Sequence, residues 1–238
     1  MRAYNEFANF YDATMGDRAH SAEFVRSLIK KHAPRAQTLL ELACGTGSVL
    51  KRLSAHYDIV GLDLSSRMLR IARAKLPGVE LHRADMSAYD LGRTFDTIIC
   101  VFDSINHLMN FSAWEQTFRC TAKHLVKGGL FIFDINTSLK LRRHAREPAW
   151  VKSLDSGTLI MKVTDGRKGI SNWNIKVFER RSGRRYCLHE EEIREISFPI
   201  DRIGTALARH FRKVRVVDPA RSRPTSKSER LWFICTRA

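Results

Sequence analysis

The chain has 238 residues, 44% of them hydrophobic, which is enough to bury a core and excludes intrinsic disorder. Lysine and arginine total 41 against 25 acidic residues, and the formal net charge of +16 favours anionic partners, although a basic protein without a polyanionic partner stays open. No apolar stretch approaches the roughly 20 residues that span a bilayer, and the N-terminus lacks a signal peptide's apolar core, so we expect a cytoplasmic protein with no membrane contact.

The first helix is predicted from Ser21 to His32, because apolar residues recur there at helical spacing and Pro34 follows as a stop. Strand and helix patterns then alternate up to Ile135. Strands are predicted at 37–44, 57–65, 79–85, 95–104 and 130–135, and helices at 48–55, 68–76 and 112–125. We expect Ser112 and Glu115 to cap the last of these helices and Gly128-Gly129 to close it. This alternation predicts a parallel sheet with helices on both faces.

The pattern changes after the fifth strand: between about Leu154 and Phe198 alternating apolar residues occur without helices, and Ser182-Gly183 has the composition of a hairpin turn. A helix is predicted near 200–210 and two final strands near 213–218 and 230–236. Because no crossover helix joins these two strands, the last should run antiparallel to its partner. The fold class is therefore α/β: a Rossmann-like, seven-stranded, mostly parallel sheet with an antiparallel last strand and a small antiparallel β insert.

Four regions follow from these elements. We predict an N-terminal lid segment at 1–20, a cofactor-binding core at 21–150, a β insert that acts as a substrate lid at 151–199, and the end of the core sheet at 200–238.

The loop Ala43-Cys44-Gly45-Thr46-Gly47 lies between a predicted strand and a predicted helix, which is typical of a nucleotide-binding turn. Leu50 stands where a dinucleotide fingerprint needs a third small residue, and no triphosphate P-loop is present. An ordinary tight turn is the alternative. Asp63 ends the second strand and could accept both hydroxyls of a ribose, while Asp85 ends the third and could accept an exocyclic amine. Each aspartate alone could instead be an ordinary strand-end residue or the N-cap of the next helix.

With these residues the chain resembles the class I S-adenosylmethionine-dependent methyltransferases. Glu41-x-Ala43-x-Gly45-x-Gly47 is similar to their first motif, Asp63 to their ribose acid, Ala84-Asp85-Met86 to their adenine site and Gly128-Gly129 to their late motif. The resemblance implies S-adenosylmethionine as cofactor and no metal. It implies cofactor contacts from the following residues: Glu41, Ala43, Cys44, Gly45, Thr46, Gly47, Asp63, Leu64, Met68, Asp85, Met86, Val101 and Phe102.

A closer resemblance is to the N-methyltransferases that dimethylate amino groups of nucleotide-linked deoxysugars, with glycine N-methyltransferase more distant. It rests on "FANFYD", "LACGTG", "ADM", "VFDSINHL" and "KHLVKGG". His107 stands where the sugar enzymes have a histidine after the fourth strand. Asp103 and Asn106 depart from the smaller residues expected there, and the chain from Leu139 onward carries no pattern that we can match.

Three residues are candidates for catalysis. His107 could take a proton from an acceptor amine, or only hydrogen-bond its own loop. Asp103 could orient an ammonium or hydroxyl group, or cap its turn. Tyr11, with Tyr4 and Phe7, could cover the sulfonium as an aromatic lid, or simply pack an N-terminal helix. The five cysteines are scattered and no Cys/His cluster has ligand spacing, which agrees with the absence of a metal site.

Three basic clusters remain, at 140–146, 180–185 and 221–230, and the first and third should border the active site. The hairpin cluster could instead pair with Glu190, Glu191 and Glu192. The sequence therefore favours methyl transfer to a small, anionic amine, by a protein that could be a homodimer. An RNA methyltransferase, a small-molecule O-methyltransferase and a non-catalytic cofactor-binding domain stay open, and nucleic acid is possible but not favoured as a partner.

Overall fold

The computed structural model describes residues 4–238, which fold into two sheets with helices around the larger one. The helices are α1 (Ala8–Met15), α2 (Ala19–His32), α3 (Ser48–Leu53), α4 (Ser66–Lys75), α5 (Phe111–Lys123), α6 (Ser138–Arg146) and α7 (Ile200–Ala208). The strands are β1 (Thr38–Leu42), β2 (Asp58–Asp63), β3 (Glu80–Arg83), β4 (Phe95–Cys100), β5 (Leu125–Asn136), β6 (Trp150–Leu154), β7 (Gly157–Asp165), β8 (Ser171–Arg180), β9 (Tyr186–Glu195), β10 (Phe211–Val217) and β11 (Arg230–Arg237). Met1, Arg2 and Ala3 of the predicted lid segment lie outside the described residues.

The larger sheet has seven strands in the order β10-β11-β5-β4-β1-β2-β3. β1, β2, β3, β4 and β5 pair in parallel, whereas β11 runs antiparallel to both of its neighbours, β5 and β10. The prediction of a mostly parallel seven-stranded sheet with an antiparallel last strand is therefore confirmed. The parallel order brings the carboxyl ends of β1, β2, β4 and β5 to one edge of the sheet, where ligands bind in folds of this kind.

Both faces of this sheet are buried, which explains the unbroken apolar runs in its strands. Leu40, Ile98 and Phe131 pack into one core cluster. Their chain neighbours Leu39, Ile99 and Ile132 pack into the other, because successive side chains of a strand point to opposite faces.

Two local predictions around α5 are wrong. The side chain of Asn110, not Ser112, caps α5 by accepting a hydrogen bond from the Ala113 N–H. The helix ends at His124, and Gly128 and Gly129 lie within β5, where the β4–β5 register shifts. A β-strand resumes directly after the helix, so the two glycines accommodate an irregular strand start instead of a helix end.

The second sheet is antiparallel, with the order β6-β7-β8-β9, and lies between β5 and β10 in the chain. One of its faces packs against the first helix: Phe7 and Phe10 share a core cluster with Leu159, Val177 and Ile193. The N-terminal segment and the insert therefore form one layer. Between residues 4 and 238 no helix is long and apolar enough to cross a membrane, and no cluster of acidic, histidine or cysteine side chains could hold a metal ion.

Candidate active site

The turn after β1 contains two glycines that have different structural roles. Gly45 has a φ of +56°, and a Cβ atom added there would have no neighbour within 4 Å, so the position faces open space. Gly47 has a φ of +74°, and its added Cβ would lie 2.7 Å from Leu76 Cδ1 and 3.3 Å from Ala72 Cβ. Gly45 thus leaves room for a ligand beside the backbone, whereas Gly47 allows α4 to pack closely.

Asp63, at the end of β2, holds this turn in place. Its Oδ2 accepts a hydrogen bond from the Gly45 N–H at 2.8 Å, and its Oδ1 accepts one from the Ser65 N–H at 2.7 Å. Burial raises the pKa of the Asp63 carboxyl above its ordinary value, while these backbone bonds oppose the rise. The carboxylate therefore joins the ends of β1 and β2, and its remaining lone pairs are available to a ligand.

A cavity of about 160 Å³ opens beside this turn. It is bounded by the predicted cofactor residues Ala43, Gly45, Asp63, Leu64, Met68, Asp85, Met86 and Phe102, together with Tyr4, Tyr11 and His107. Leu64 is 51% exposed although it is apolar. Oδ1 of Asp85 accepts hydrogen bonds from the N–H and hydroxyl groups of Ser87, which fixes the carboxyl at the cavity wall.

Five of the predicted cofactor contacts do not line this cavity, and Gly47, which packs against α4, is one of them. Glu41, Cys44 and Val101 are buried beneath it, and burial raises the pKa of the Glu41 carboxyl. Thr46 is also buried, and its hydroxyl donates to Asp12 Oδ1 at 2.7 Å. These buried residues pack around the turn and do not line the cavity. Alternate residues of a strand point to opposite faces, so only some of the motif can face a ligand.

Asp12 on α1 is a residue that the sequence analysis did not single out. Besides Thr46, it accepts a hydrogen bond from the Ser48 hydroxyl at 3.1 Å and forms an ion pair with Lys75. These bonds lower the pKa of Asp12, against the opposing effect of its partial burial. The first helix is thereby attached to the glycine turn and to α4.

The N-terminal segment covers the cavity. The N–H of Phe7 donates to a carboxylate oxygen of Glu191 on β9 at 2.8 Å, and the Tyr4 and Tyr11 rings meet edge to face at 5.8 Å between centroids. Tyr4 and Tyr11 both line the cavity. Burial raises the pKa of Tyr11 to about 12, so its hydroxyl is neutral at physiological pH.

His107, in a short 3-10 helix at Ser104–His107, is held at both ring nitrogens. Its Nδ1 lies 3.0 Å from the carbonyl oxygen of Arg194, which can only accept, so Nδ1 carries the proton. In the neutral ring Nε2 is then an acceptor, and the Tyr4 hydroxyl lies 3.1 Å from it. The backbone contact is therefore made to β9 instead of to the residue's own loop.

A second cavity, of about 690 Å³, adjoins the first and shares Tyr4, Tyr11, Phe102 and Ile193 with it. Its wall is largely aromatic and apolar, with contributions from Trp150, Met161, Trp173 and Trp232. Phe102 and Asp103, at the boundary, have φ values of +59° and +51°. Consecutive non-glycine residues in the left-handed region are strained, which is a feature of functional sites.

A buried charge cluster forms one end of the second cavity. Arg230 on β11 donates to Asp103 and Asp134 and, at 3.1 Å, to the side-chain oxygen of Asn136. The amide group of Asn136 in turn donates to Glu195 at 3.0 Å. Lys140 also lines this end of the cavity.

Ionisation within this cluster is uneven. Although burial alone would raise it, the pKa of Asp103 is lowered by Arg230 and Lys140, so Asp103 is a carboxylate. Burial raises the pKa of Asp134 to about 6 and that of Glu195 well above its ordinary value. Burial and the neighbouring Arg230 lower the pKa of Lys140. Asp103 is thus an acceptor of hydrogen bonds, whereas burial favours the neutral form of the Glu195 carboxyl.

Asn106, which departs from the expected smaller residue, has a structural role. It is fully buried, and its amide donates to the carbonyl oxygens of Asn136 at 3.0 Å and Ile196 at 2.8 Å. This side chain joins the loop after β4 to the end of β5 and to the segment after β9.

The three basic clusters differ in their surroundings. Lys140 and Arg230 line the second cavity, as expected for the first and third clusters. The hairpin arginines lie at an exposed tip, and the β8–β9 register places Glu190 opposite Lys176 instead. The alternative in which the hairpin cluster pairs with Glu190, Glu191 and Glu192 is therefore wrong.

The sheet order, the glycine turn after β1 and the aspartates after β2 and β3 define a nucleoside-binding α/β enzyme of the methyltransferase type. A family model described as Methyltransferase domain matches residues 39–129. The fold is similar to that of an S-adenosylmethionine-dependent methyltransferase from Clostridium acetobutylicum. The two structures superpose with a TM-score of 0.84 and 26% sequence identity, and the match covers 99% of each chain.

Two curated relatives are similar in sequence. The chain is 32% identical to the dTDP-4-amino-2,3,4,6-tetradeoxy-D-glucose N,N-dimethyltransferase of Saccharopolyspora spinosa over 78% of this chain and 73% of that protein. It is 35% identical to the dTDP-3-amino-3,6-dideoxy-alpha-D-glucopyranose N,N-dimethyltransferase of Streptomyces fradiae over 54% of this chain, a match that spans only 52% of that relative. The chain belongs to the class I S-adenosylmethionine-dependent methyltransferases, in the branch that contains these two enzymes.

The cofactor is S-adenosylmethionine, and the first cavity fits its nucleoside. The open space at Gly45 admits the ligand to the backbone, Asp63 and Asp85 offer acceptors for hydroxyl and amine groups, and Leu64 and Met68 offer apolar surface for a base.

Proposed function

We propose that the protein transfers methyl groups from S-adenosylmethionine to the amine of a nucleotide-linked amino sugar. The observation that supports this most is the pair of adjoining cavities, one with the features of a nucleoside site and one with an aromatic wall and a buried charge cluster. The substrates named for the two curated relatives carry the amino group at different sugar carbons, C4 for the Saccharopolyspora spinosa enzyme and C3 for the Streptomyces fradiae enzyme. The proposal therefore names the substrate class and leaves the carbon open.

The chemistry places few demands on the protein. When bound, S-adenosylmethionine supplies a methyl group on a positively charged sulfur, already activated for displacement by an amine. The chain must align the amine and exclude water. The boundary residues Tyr4, Tyr11 and Phe102 line both cavities, so they surround the passage between cofactor and acceptor.

The amine must lose a proton to become a nucleophile, and Tyr4 with His107 offers it a path. Because Nδ1 of His107 is bonded to the Arg194 carbonyl, Nε2 is the free base, and the Tyr4 hydroxyl donates to it. An ammonium proton that moves to the Tyr4 oxygen releases the Tyr4 proton to Nε2. This relay gives His107 the role of base through Tyr4.

Asp103 and Glu195 then have complementary parts in holding the sugar. The ionised Asp103 accepts hydrogen bonds from hydroxyl or ammonium groups, and Glu195 donates one in the neutral form that its burial favours. Tyr11 contributes an aromatic edge at the boundary. The acceptor's negative charge, a homodimer and a cytoplasmic location stay predictions.

The test is product mass. Purified protein with S-adenosylmethionine and thymidine-diphosphate sugars that carry an amine at C3 or C4 should yield products heavier by one and then two methyl groups. The matched sugar with a hydroxyl in place of the amine should stay unmodified. Methyl incorporation into RNA and into none of these sugars would replace this proposal by the RNA alternative.

The relay has its own test. Tyr4→Phe should lower turnover about a hundredfold near neutral pH, because it removes the hydroxyl that connects the amine to His107, and the loss should shrink as pH rises and the amine deprotonates unaided. Tyr186→Phe, at an exposed position on β9, is the matched control and should leave turnover unchanged. A loss in Tyr4→Phe that does not vary with pH would mean that Tyr4 only packs.

A further inference from the structure

A third cavity, of about 340 Å³, adjoins the second cavity, which is the proposed acceptor cavity, and shares no lining residue with the first. Lys140 and Arg230 line both cavities, so these two residues form the boundary between them. The other charged residues of the third cavity are Asp218, Arg221, Lys227 and Glu229. Four cations thus face two carboxylates.

The two carboxylates differ in how far they are engaged by hydrogen bonds. Asp218 is buried; its Oδ1 accepts a hydrogen bond from the Ala220 N–H at 2.9 Å, within its own turn, whereas its Oδ2 has no hydrogen-bond partner. Glu229 accepts a hydrogen bond from Arg143 at 2.7 Å, from outside the cavity. Glu229 is therefore paired with a residue outside the cavity, and Asp218 reaches one of the lining cations, Arg221, through a loose 3.6 Å contact.

The cations differ in how far they are neutralised. Arg230 is directed inward to Asp103 and Asp134. Among the described residues, Lys140 and Lys227 form no salt bridge through their ammonium groups. Burial and Arg230 lower the pKa of Lys140, so an anion beside it would relieve that unfavourable environment. The third cavity is therefore lined by an excess of positive charge.

The loop that bears these cations is held against the sheet edge. The Thr137 N–H donates to the Glu229 carbonyl at 2.9 Å, and the Thr137 hydroxyl donates to the Ser228 carbonyl at 2.8 Å. The Ser228 hydroxyl accepts a hydrogen bond from the Thr225 N–H at 2.9 Å. The backbone on either side of Lys227 is thus held in place, while the side chains of Arg221 and Lys227 are exposed.

We propose that Lys140, Arg221 and Lys227 bind the diphosphate of the acceptor, so that the nucleotide lies outside and the amino sugar extends past Lys140 into the acceptor cavity. This assignment rests on the proposed function. Phosphate oxygens are strong acceptors for lysine and arginine, and two adjacent phosphates match several cations that line one cavity. The other basic residues, which lie at the hairpin tip and at Arg142, Arg143 and Arg146, do not line the third cavity and are not part of the proposed diphosphate site.

Binding of thymidine diphosphate, measured by calorimetry with S-adenosylhomocysteine present, tests the site without requiring turnover. Wild-type protein should bind thymidine diphosphate at least tenfold more tightly than thymidine. Lys140→Met, and separately the double variant Arg221→Ala with Lys227→Ala, should weaken binding about tenfold or more. Arg223→Ala, an exposed residue of the same loop outside the cavity, is the matched control and should change it less than twofold.

Two further outcomes separate this site from the proposed function. If wild type binds thymidine diphosphate as described but methylates no amino sugar, the site stands and the acceptor assignment fails. If amino sugars are methylated while the cavity variants bind and react like Arg223→Ala, the site is overturned and the acceptor assignment stands. Equal affinity for thymidine and thymidine diphosphate in wild type would also overturn the site.

Discussion

The cofactor half and the acceptor half of the active site are built in different ways. The cofactor half consists of the turn at 43–47 and the carboxyl ends of β2 and β3, and its defining bond joins Gly45 and Asp63, 18 residues apart. The acceptor half consists of the loop at 102–107, the end of β5, α6, β9 and Arg230. Its defining bond joins Arg230 and Asp103, 127 residues apart. One half is held by backbone bonds to a short segment, the other by buried charges brought together from the whole chain.

This difference predicts that single substitutions in the acceptor half affect the fold most. Arg230→Met leaves Asp103 and Asp134 together without their cation, and we expect it to lower the free energy of unfolding by about 2–4 kcal/mol, since a buried pair that loses one partner is strongly destabilised. Urea denaturation measures this change. Arg223→Met, in the same loop but exposed, should stay within about 0.5 kcal/mol of wild type. Equal stability of the two variants would show that the charge cluster is not coupled to folding.

The glycine turn of the cofactor half offers a sharper comparison. Gly47→Ala places a Cβ against Leu76 and Ala72 at a positive φ, and we expect a loss of about 2–3 kcal/mol of unfolding free energy. Gly45→Ala has the same backbone penalty but open space, so it should lose about 1–2 kcal/mol and chiefly weaken S-adenosylmethionine binding. Thermal unfolding and calorimetry together measure both. The reverse order of stabilities would mean that Gly45, not Gly47, is the packing glycine.

The buried charges also predict a pH dependence that the cofactor half lacks. Burial raises the pKa of Asp134 to about 6, so the folded protein retains a proton that the unfolded chain releases at lower pH. Stability from this group is present near pH 4 and is lost as pH rises through about 6. From pH 4 to 7 the unfolding free energy of wild type should therefore fall by about 1–3 kcal/mol relative to Asp134→Asn. Asp155→Asn, at an exposed position, should follow wild type, and a flat difference for Asp134→Asn would contradict the assignment.

The same contrast explains how much of the molecule could be predicted from its sequence. Periodicity predicted the strands and helices up to β5 because these elements are short, consecutive and apolar on defined faces. The absence of a crossover helix predicted the antiparallel β11. The cap at Asn110 was missed because Ser112 and Glu115 match a capping pattern two residues further on, and local pattern alone cannot choose between two caps.

The acceptor half could be predicted only in part. Asp134 lies two residues before the end of β5, near the sheet edge at which Asp63 and Asp85 lie, so the same reasoning could have found it. Glu195 and Arg230 could not be found, because nothing local indicates that they meet Asn136 and Asp103 across the fold. His107 was found by resemblance, but its tie to Arg194 and Tyr4 is a tertiary contact.

The central claim is that the cofactor half binds S-adenosylmethionine through its own residues, independently of the acceptor half. Calorimetric titration of S-adenosylmethionine into Asp63→Ala and into Glu195→Gln tests it most directly. Asp63→Ala should weaken binding by about 2–4 kcal/mol, because two backbone bonds and the ligand's acceptor are lost together, while Glu195→Gln should stay within twofold of wild type. Equal losses in both variants, or tight binding of NAD with none of S-adenosylmethionine in wild type, would contradict the claim.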